Sequence, residues 1–243
     1  AIAPFPLLPL IDDPKTLRKN TEVFVNWVYP KTQILPLIER YKKHKKIHIG
    51  YFSADFRIHP VTTLTAELYE LHNRDAFEIH AFSLGKDTND KMNLRIKQGV
   101  DHFHNVCSMS DKEVTILVRS LEIDIAVDLA GFTADSAINI FALSAAPIQL
   151  SFLGYLGTMG ADYYDYLVAD TRMIPEESQI NYAEKIVYLP NFQVNDSKDL
   201  PPKLSLIHIS EPTRRTPISY AVFCLKKGRR PGRVHLYAPA ALQ

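Results

Sequence analysis

The sequence predicts an α/β fold, a Rossmann-like parallel sheet with helices on both faces. Three observations predict it. From Ile47 onward short apolar runs alternate with helical segments of ten or so residues, the rhythm of right-handed βαβ crossovers. There is no internal repeat and no low-complexity tract. A chain of 243 residues, 46% of them hydrophobic, can bury one large core or two small ones.

Each element has a local signal. Asp13 followed by Pro14 opens a helix to Val28, with Leu17, Val23, Phe24 and Trp27 among its apolar residues. Gln33 to Tyr41 is expected to form a second short helix. The basic KKHKK after it suits a helix end or a solvated loop. IHIGYF is a strand, and Val61 to His72 a helix with Leu64, Leu68 and Leu71 on one face. FEIHAFSL is a strand, followed by a helix around Lys91 to Gln98 and a short strand, HFHNV. Ser110 with Glu113 is a capping box for a helix from Asp111 to Leu121. Strand DIAVDL, a helical piece from Ala137 to Leu143, and strands IQLSFL, YDYLVAD and KIVYLP complete the series.

Composition narrows the function. No apolar run reaches the roughly 18 residues of a membrane span. The opening AIAPFPLLPL lacks a charged leader segment, and the first residue, Ala1, suggests the interior of a longer chain. Cys107 and Cys224, far apart and without metal-ligand neighbours, fit a reduced cytoplasmic setting. The net charge of +1 hides an asymmetry: Leu204–Gln243 holds seven basic residues and one acid, leaving Ala1–Lys203 at −5. The body therefore gives no sign of nucleic-acid binding. The tail has its own explanation. LSLIHISEPTR, Leu204 to Arg214, resembles the in-frame translation of a sequencing-library adapter. ISYAVFCL, Ile218 to Leu225, resembles the primer segment that follows the barcode in such adapters. Residues 204–243 are accordingly expected to be an artefact and no domain.

Ligands of open parallel sheets bind outside the strands' carboxyl ends. The turns after IHIGYF, DIAVDL and IQLSFL are SADFRIHP, AGFTADS and GYLGTMGAD, and the last two supply glycines that permit close backbone approach. The helix beginning near Val61 aims its N–H groups at the same mouth, a place for an anion. Asp55 and His59 share the first turn. As a bare pattern they are a turn-forming Asp and a helix-start His, or else a proton acceptor and a group that polarises a hydroxyl. His102 and His104 offer two ligands, too few for a metal site, with no carboxylate or cysteine at metal spacing nearby. Cys107 is expected in the core, and Asp128 is a buried turn cap or else a site residue, with capping favoured. Neither a GxGxxG nor a Walker fingerprint is present.

Taken in order, IGYFSADFRIHPVTTL, FEIHAFSLG, DHF, IDIAVDLAGFT, FALSAAPIQLSFLGYLGTMGADYYDYLVAD and EKIVYLP resemble the catalytic region of the O-linked N-acetylglucosamine transferase family. These are GT-B glycosyltransferases that follow a tetratricopeptide array. The resemblance runs from Ile47 to Pro190, and residues 1–46 look like the helical linker after the repeats. It implies that residues 47–203 are the N-terminal lobe of the GT-B catalytic region. It further implies an inverting, metal-independent transfer, without a cofactor, from UDP-N-acetylglucosamine to Ser/Thr hydroxyls of protein acceptors. By motif, Asp55 matches the family's Asp of SSDF and His59 the His of its HP step, the two catalytic positions. Pro60, Val61, Leu153 and Gly154 match substrate-binding positions, the last two beside the donor sugar. Gly131 and Thr133 match the GYT turn, whose role is less defined.

Three departures stand out. Leu156 replaces the proline of LGYPGT, Ser144–Ala145 replace Arg–Pro, and Thr63 replaces a second histidine found in animal members. They leave donor and acceptor open, including a fucose donor as in plant relatives. Nothing after Pro190 resembles the second lobe, which in this family holds most of the nucleotide and supplies a lysine for the diphosphate charge. The expectation is half of an active site, inactive alone. The alternative is a non-catalytic sugar- or protein-binding module.

Overall fold

The computed structural model describes residues 1–39, 41, 44–192, 194 and 196–198, and the backbone of 225–227 and 234–236. The chain divides into two compact units, Ala1–Asp199 and Leu200–Gln243. The second is described only as an antiparallel pair, β8 (Leu225–Lys227) with β9 (Val234–Leu236). The adapter-like blocks otherwise lie outside the described residues.

The first unit opens with α1 (Pro4–Leu7) and α2 (Pro14–Val28). β1 (Ile47–Ser53), α3 (Pro60–Leu71), β2 (Phe77–Ser83), α4 (Lys91–Gly99), β3 (His102–Asn105), α5 (Asp111–Ser120), β4 (Ile125–Asp128), α6 (Ile138–Ala142) and β5 (Ile148–Ser151) alternate after it. β6 (Tyr166–Ala169), a 3₁₀ turn (Glu176–Asn181) and β7 (Lys185–Tyr188) close the series. The seven strands form one parallel sheet in the order β3-β2-β1-β4-β5-β6-β7.

That order explains the two layers. The chain steps outward from β1 to β2 and β3, and right-handed crossovers put α3 and α4 on one face. It then returns past β1 to β4, so the same handedness puts α5 and α6 on the other. Ile49, Tyr51, Ile79 and Ala81 pack under α3 and α4. Phe52, Phe82 and Ala126 pack under α5 and α6. Phe52 is fully buried, stacked on Phe82 at 4.7 Å and edge-on to Phe141 at 5.3 Å.

The caps behave as their residue types dictate. Asp13 accepts from the backbone N–H groups of Lys15 and Thr16, and Ser110 forms the full capping box with Glu113. Four expectations change. Gln33–Glu39 is not helical. Pro36 interrupts it, and bonds to distant groups hold it instead: Thr32 N–H donates to the Ala142 carbonyl and Arg119 Nη1 to the Pro36 carbonyl. α2 buries Thr21 and Val25, while Trp27 is 78% exposed. α3 buries Thr62, Thr65, Ala66 and Tyr69, and Leu71 faces solvent. Buried threonines are tolerated there because each hydroxyl finds a local carbonyl, Thr65 that of Val61 at 2.8 Å and Thr62 that of Asp55. Cys107, expected in the core, is exposed in the loop beyond edge strand β3.

After β7 the chain returns to α3 and α4, where Arg95 bridges Glu70 (2.8 Å) and Asp196. The hydrogen bond from Arg95 comes first among the causes that hold the Glu70 carboxyl at about 2, against an ordinary 4.5. Between those values the unfolded chain takes up a proton that the folded chain does not. The stabilisation is complete above pH 4.5 and is lost as pH falls toward 2. Arg95→Ala is expected to cost on the order of 1–2 kcal/mol at neutral pH and to flatten this acid limb. Urea unfolding at a series of pH values measures both, and an unchanged limb would remove the bridge from the account.

Candidate active site

The reversal of strand order lies between β1 and β4, and the turns after β1, β4 and β5 leave from adjacent carboxyl ends. Phe52 is in register with Asp128, and Asp128 with Ser151. Hydrogen bonds carry the ladder past the strands, from Leu129 N–H to the Phe52 carbonyl and from Phe152 N–H to the Asp128 carbonyl. All eight predicted site residues are on these three turns or at the start of α3.

The first turn is a tightly bonded loop. Ser53 Oγ accepts from Asp55 N–H, and the Asp55 carbonyl accepts from Arg57 N–H and the Thr62 hydroxyl. Asp55 Oδ1 accepts from Arg57 Nη2 at 3.0 Å, and its Oδ2 is 3.5 Å from His59 Nδ1. His59 is the N-cap of α3, and its Nδ1 accepts from Val61 N–H at 3.3 Å. That contact assigns the proton of the neutral ring to Nε2, which makes Nε2 a donor. Burial comes first in pushing the His59 pKa down; the nearby Asp55 charge acts in the opposite direction. The ring is thus neutral near pH 7 and half-open to solvent, a group able to orient a hydroxyl or a sugar oxygen.

The helix end is less available to an anion than its position suggests. Pro60 has no N–H, Val61 N–H is taken by the His59 ring, and Thr63 N–H bonds to the His59 carbonyl. Pro60 and Val61 shape the wall of the turn.

In the second turn Asp128 is fully buried. Its carboxylate accepts from Ala130 N–H, Gly131 N–H and, at 2.6 Å, the Tyr164 hydroxyl. It is the buried turn cap the sequence indicated, and burial pushes its pKa up. Gly131 has φ +57°, and a Cβ there would lie 2.4 Å from Tyr155 Cβ. The Thr133 hydroxyl closes the turn on the Ala130 carbonyl at 2.9 Å.

The third turn is strained and close. Leu153 has φ +70°, a conformation that a non-glycine residue holds at a cost and that clusters at ligand sites. A Cβ on Gly154 would lie 1.9 Å from the Leu129 carbonyl oxygen, so the second and third turns touch backbone to backbone. Phe132 and Tyr155 meet edge to face at 5.1 Å. Phe5 and Phe24 of the N-terminal helical segment pack against this pair.

Sequence reading missed the brace behind the first turn. Asp90 caps α4 through Met92 and Asn93, and its other oxygen accepts from Ile58 N–H at 3.0 Å. Asn93 Nδ2 donates to the Phe56 carbonyl at 2.7 Å. An Asp just before a helical run was the available signal. A groove of 1110 Å³ lies at the amino ends, against Ile47, Asp124 and Ile148. The three turns are preferred because they hold the switch point and the strained backbone.

Gly154→Ala is expected to cost about 2–4 kcal/mol, because the methyl cannot enter without parting the two turns. Denaturant unfolding checks it, and a loss under ~1 kcal/mol would show that the turns are not held in contact.

The comparisons agree with this architecture. The model of the family Glycosyl transferase family 41 matches residues 28–220. The "Probable UDP-N-acetylglucosamine--peptide N-acetylglucosaminyltransferase SEC" of Arabidopsis thaliana is 36% identical over 162 residues, covering 66% of this chain and 17% of that protein. The Caenorhabditis elegans "UDP-N-acetylglucosamine--peptide N-acetylglucosaminyltransferase" is 28% identical over 148 residues, covering 60% of this chain and 13% of its own length. Among solved structures, a mutant O-GlcNAc transferase from Thermobaculum terrenum superposes with a TM-score of 0.70 at 29% identity. That match covers 80% of this chain and 37% of the bacterial one. The chain thus spans less than a fifth of either eukaryotic relative. By the family match over residues 28–220, together with the fold, this chain belongs to glycosyl transferase family 41.

Proposed function

We propose that this chain is the acceptor-side half of a protein O-glycosyltransferase, a fragment from a longer cytoplasmic protein in which tetratricopeptide repeats precede it. The enzyme transfers N-acetylglucosamine from UDP-N-acetylglucosamine to Ser or Thr hydroxyls with inversion and without a metal. The observation that carries the reading is the meeting of three turns at the switch point, in a chain of this family. Relatives named as UDP-N-acetylglucosamine–peptide transferases support the donor and acceptor. No helix among the described residues is long and apolar enough to cross a membrane.

The acceptor oxygen attacks the anomeric carbon as the bond to the diphosphate breaks. The hydroxyl proton passes to the Asp55 carboxylate, since His59 Nδ1 is taken by Val61 N–H and Nε2 already carries its proton. His59 Nε2 orients the reacting oxygens. Asp55, pinned by Arg57, holds negative charge where the hydroxyl becomes acidic. Pro60 and Val61 border the acceptor. Leu153 and Gly154 lie along the sugar, with Gly131 and Thr133 supporting them from the neighbouring turn. The nucleotide and the charge that offsets the leaving diphosphate belong to a second lobe. A GDP-fucose donor is the second reading, because Leu156, where the family's LGYPGT has proline, leaves the donor open.

The test begins with an independent genomic read across Lys203. It is expected to replace LSLIHISEPTR with a second βα lobe; persistence of that string ends the adapter reading. The continued protein is expected to glycosylate a peptide from UDP-N-acetylglucosamine, and His59→Ala to lower kcat about 10²–10⁴-fold. Transfer from GDP-fucose alone selects the second reading. Turnover by the 243-residue chain alone would sink the half-site proposal.

A further inference from the structure

The opposite end of β1 carries a second constellation that the transfer reaction does not use. On the face beneath α5, the parallel register sets His48 beside Glu78 and His80 beside His102, and strand alternation puts Glu78 and His80 on one side. Three imidazole nitrogens converge on one carboxylate. His102 Nε2 is 2.9 Å and His80 Nε2 3.5 Å from Glu78 Oε1, and His48 Nε2 is 3.8 Å from Oε2. Ligand atoms of Glu78, His80 and His102 all lie within 4.8 Å of one another.

The outer nitrogens are already engaged. His48 Nδ1 lies 3.2 Å from the Leu121 carbonyl, which can only accept, so Nδ1 carries the proton and Nε2 presents a lone pair. His80 Nδ1 is 3.1 Å from His104 Nε2, leaving His80 Nε2 as the inward atom. Metal-bound histidines are oriented through their second nitrogen in this way. His80 is only 3% exposed, yet its Nε2 makes no hydrogen bond and points into the cluster. Buried polar atoms are seldom left so without a reason. His44, stacked 4.3 Å from His48, is occupied by Glu122 at 2.6 Å and is not a candidate ligand.

We propose that Glu78, His80 and His102, with His48 as fourth donor, bind a divalent transition-metal ion of the zinc class and clamp β1, β2 and edge strand β3 together. Imidazole and carboxylate donors suit that class, and four of them suit its tetrahedral preference. The site is structural. His48 and Ser53 are five residues apart on β1, roughly 16 Å at the rise of a strand, so the ion stands far from the Asp55–His59 turn.

The test uses the full 243-residue chain, stripped with chelator and titrated with Co²⁺ and then Zn²⁺. The expected result is one equivalent of Co²⁺ with the intense visible absorption of a tetrahedral site, displaced by Zn²⁺, and a Zn²⁺-dependent rise in Tm. Glu78→Gln and His102→Ala, both at solvent-reached positions, are expected to keep the wild-type circular dichroism and to weaken binding at least tenfold. Cys107→Ala and His59→Ala are expected to leave affinity unchanged. Absence of stoichiometric binding overturns the proposal, as does affinity undiminished in Glu78→Gln and His102→Ala, or binding lost in Cys107→Ala.

Discussion

The pairing of β1 with β4 is the constraint on which the rest of the molecule depends. It joins the two directions of strand progression, so it decides which helices cover which face. It also decides which turns meet. Phe52, at the end of this pairing, is enclosed by Phe82 and Phe141, and its register partner Asp128 is locked by Tyr164 and two backbone N–H groups. With both residues immobilised, the turns that follow them have little freedom.

The two ends of β1 then acquire different chemistry from the same register. At the carboxyl end the backbone itself is the building material. Gly154 admits the Leu129 carbonyl, Gly131 takes a left-handed conformation, and Leu153 is held in one. Asp55 and His59 stand on that platform with their partners fixed. At the amino end, side chains pointing the same way on β1, β2 and β3 gather histidines around Glu78. The N-terminal helical segment contributes as well, since Phe5 and Phe24 support the aromatic pair Phe132 and Tyr155 behind the second and third turns.

Much of the fold was legible in the residues. Local signals are strong where a cap or an apolar run stands alone, as at Asp13, Ser110 and the seven strands. The misreadings have separate physical causes. Apolar spacing predicted the inward faces of α2 and α3, but burial went to threonines whose hydroxyls are satisfied by nearby carbonyls, and Trp27 and Leu71 were left outside. Pro36 and the long-range bonds around it removed an expected helix. Cys107 faces solvent because its loop lies beyond the sheet's edge.

By itself the sequence determined the alternation of strands and helices, the three turns at their carboxyl ends, the capping role of Asp128 and the family resemblance. Those depend on residues near one another in the chain, where spacing and type carry the information. Only the tertiary structure decided that Asp90 braces the first turn from another strand's loop, and that His102 and His104 of β3 meet Glu78 and His80. Those contacts are set by strand register and crossover handedness, which bring together residues 24 and 32 positions apart and leave no mark in local spacing.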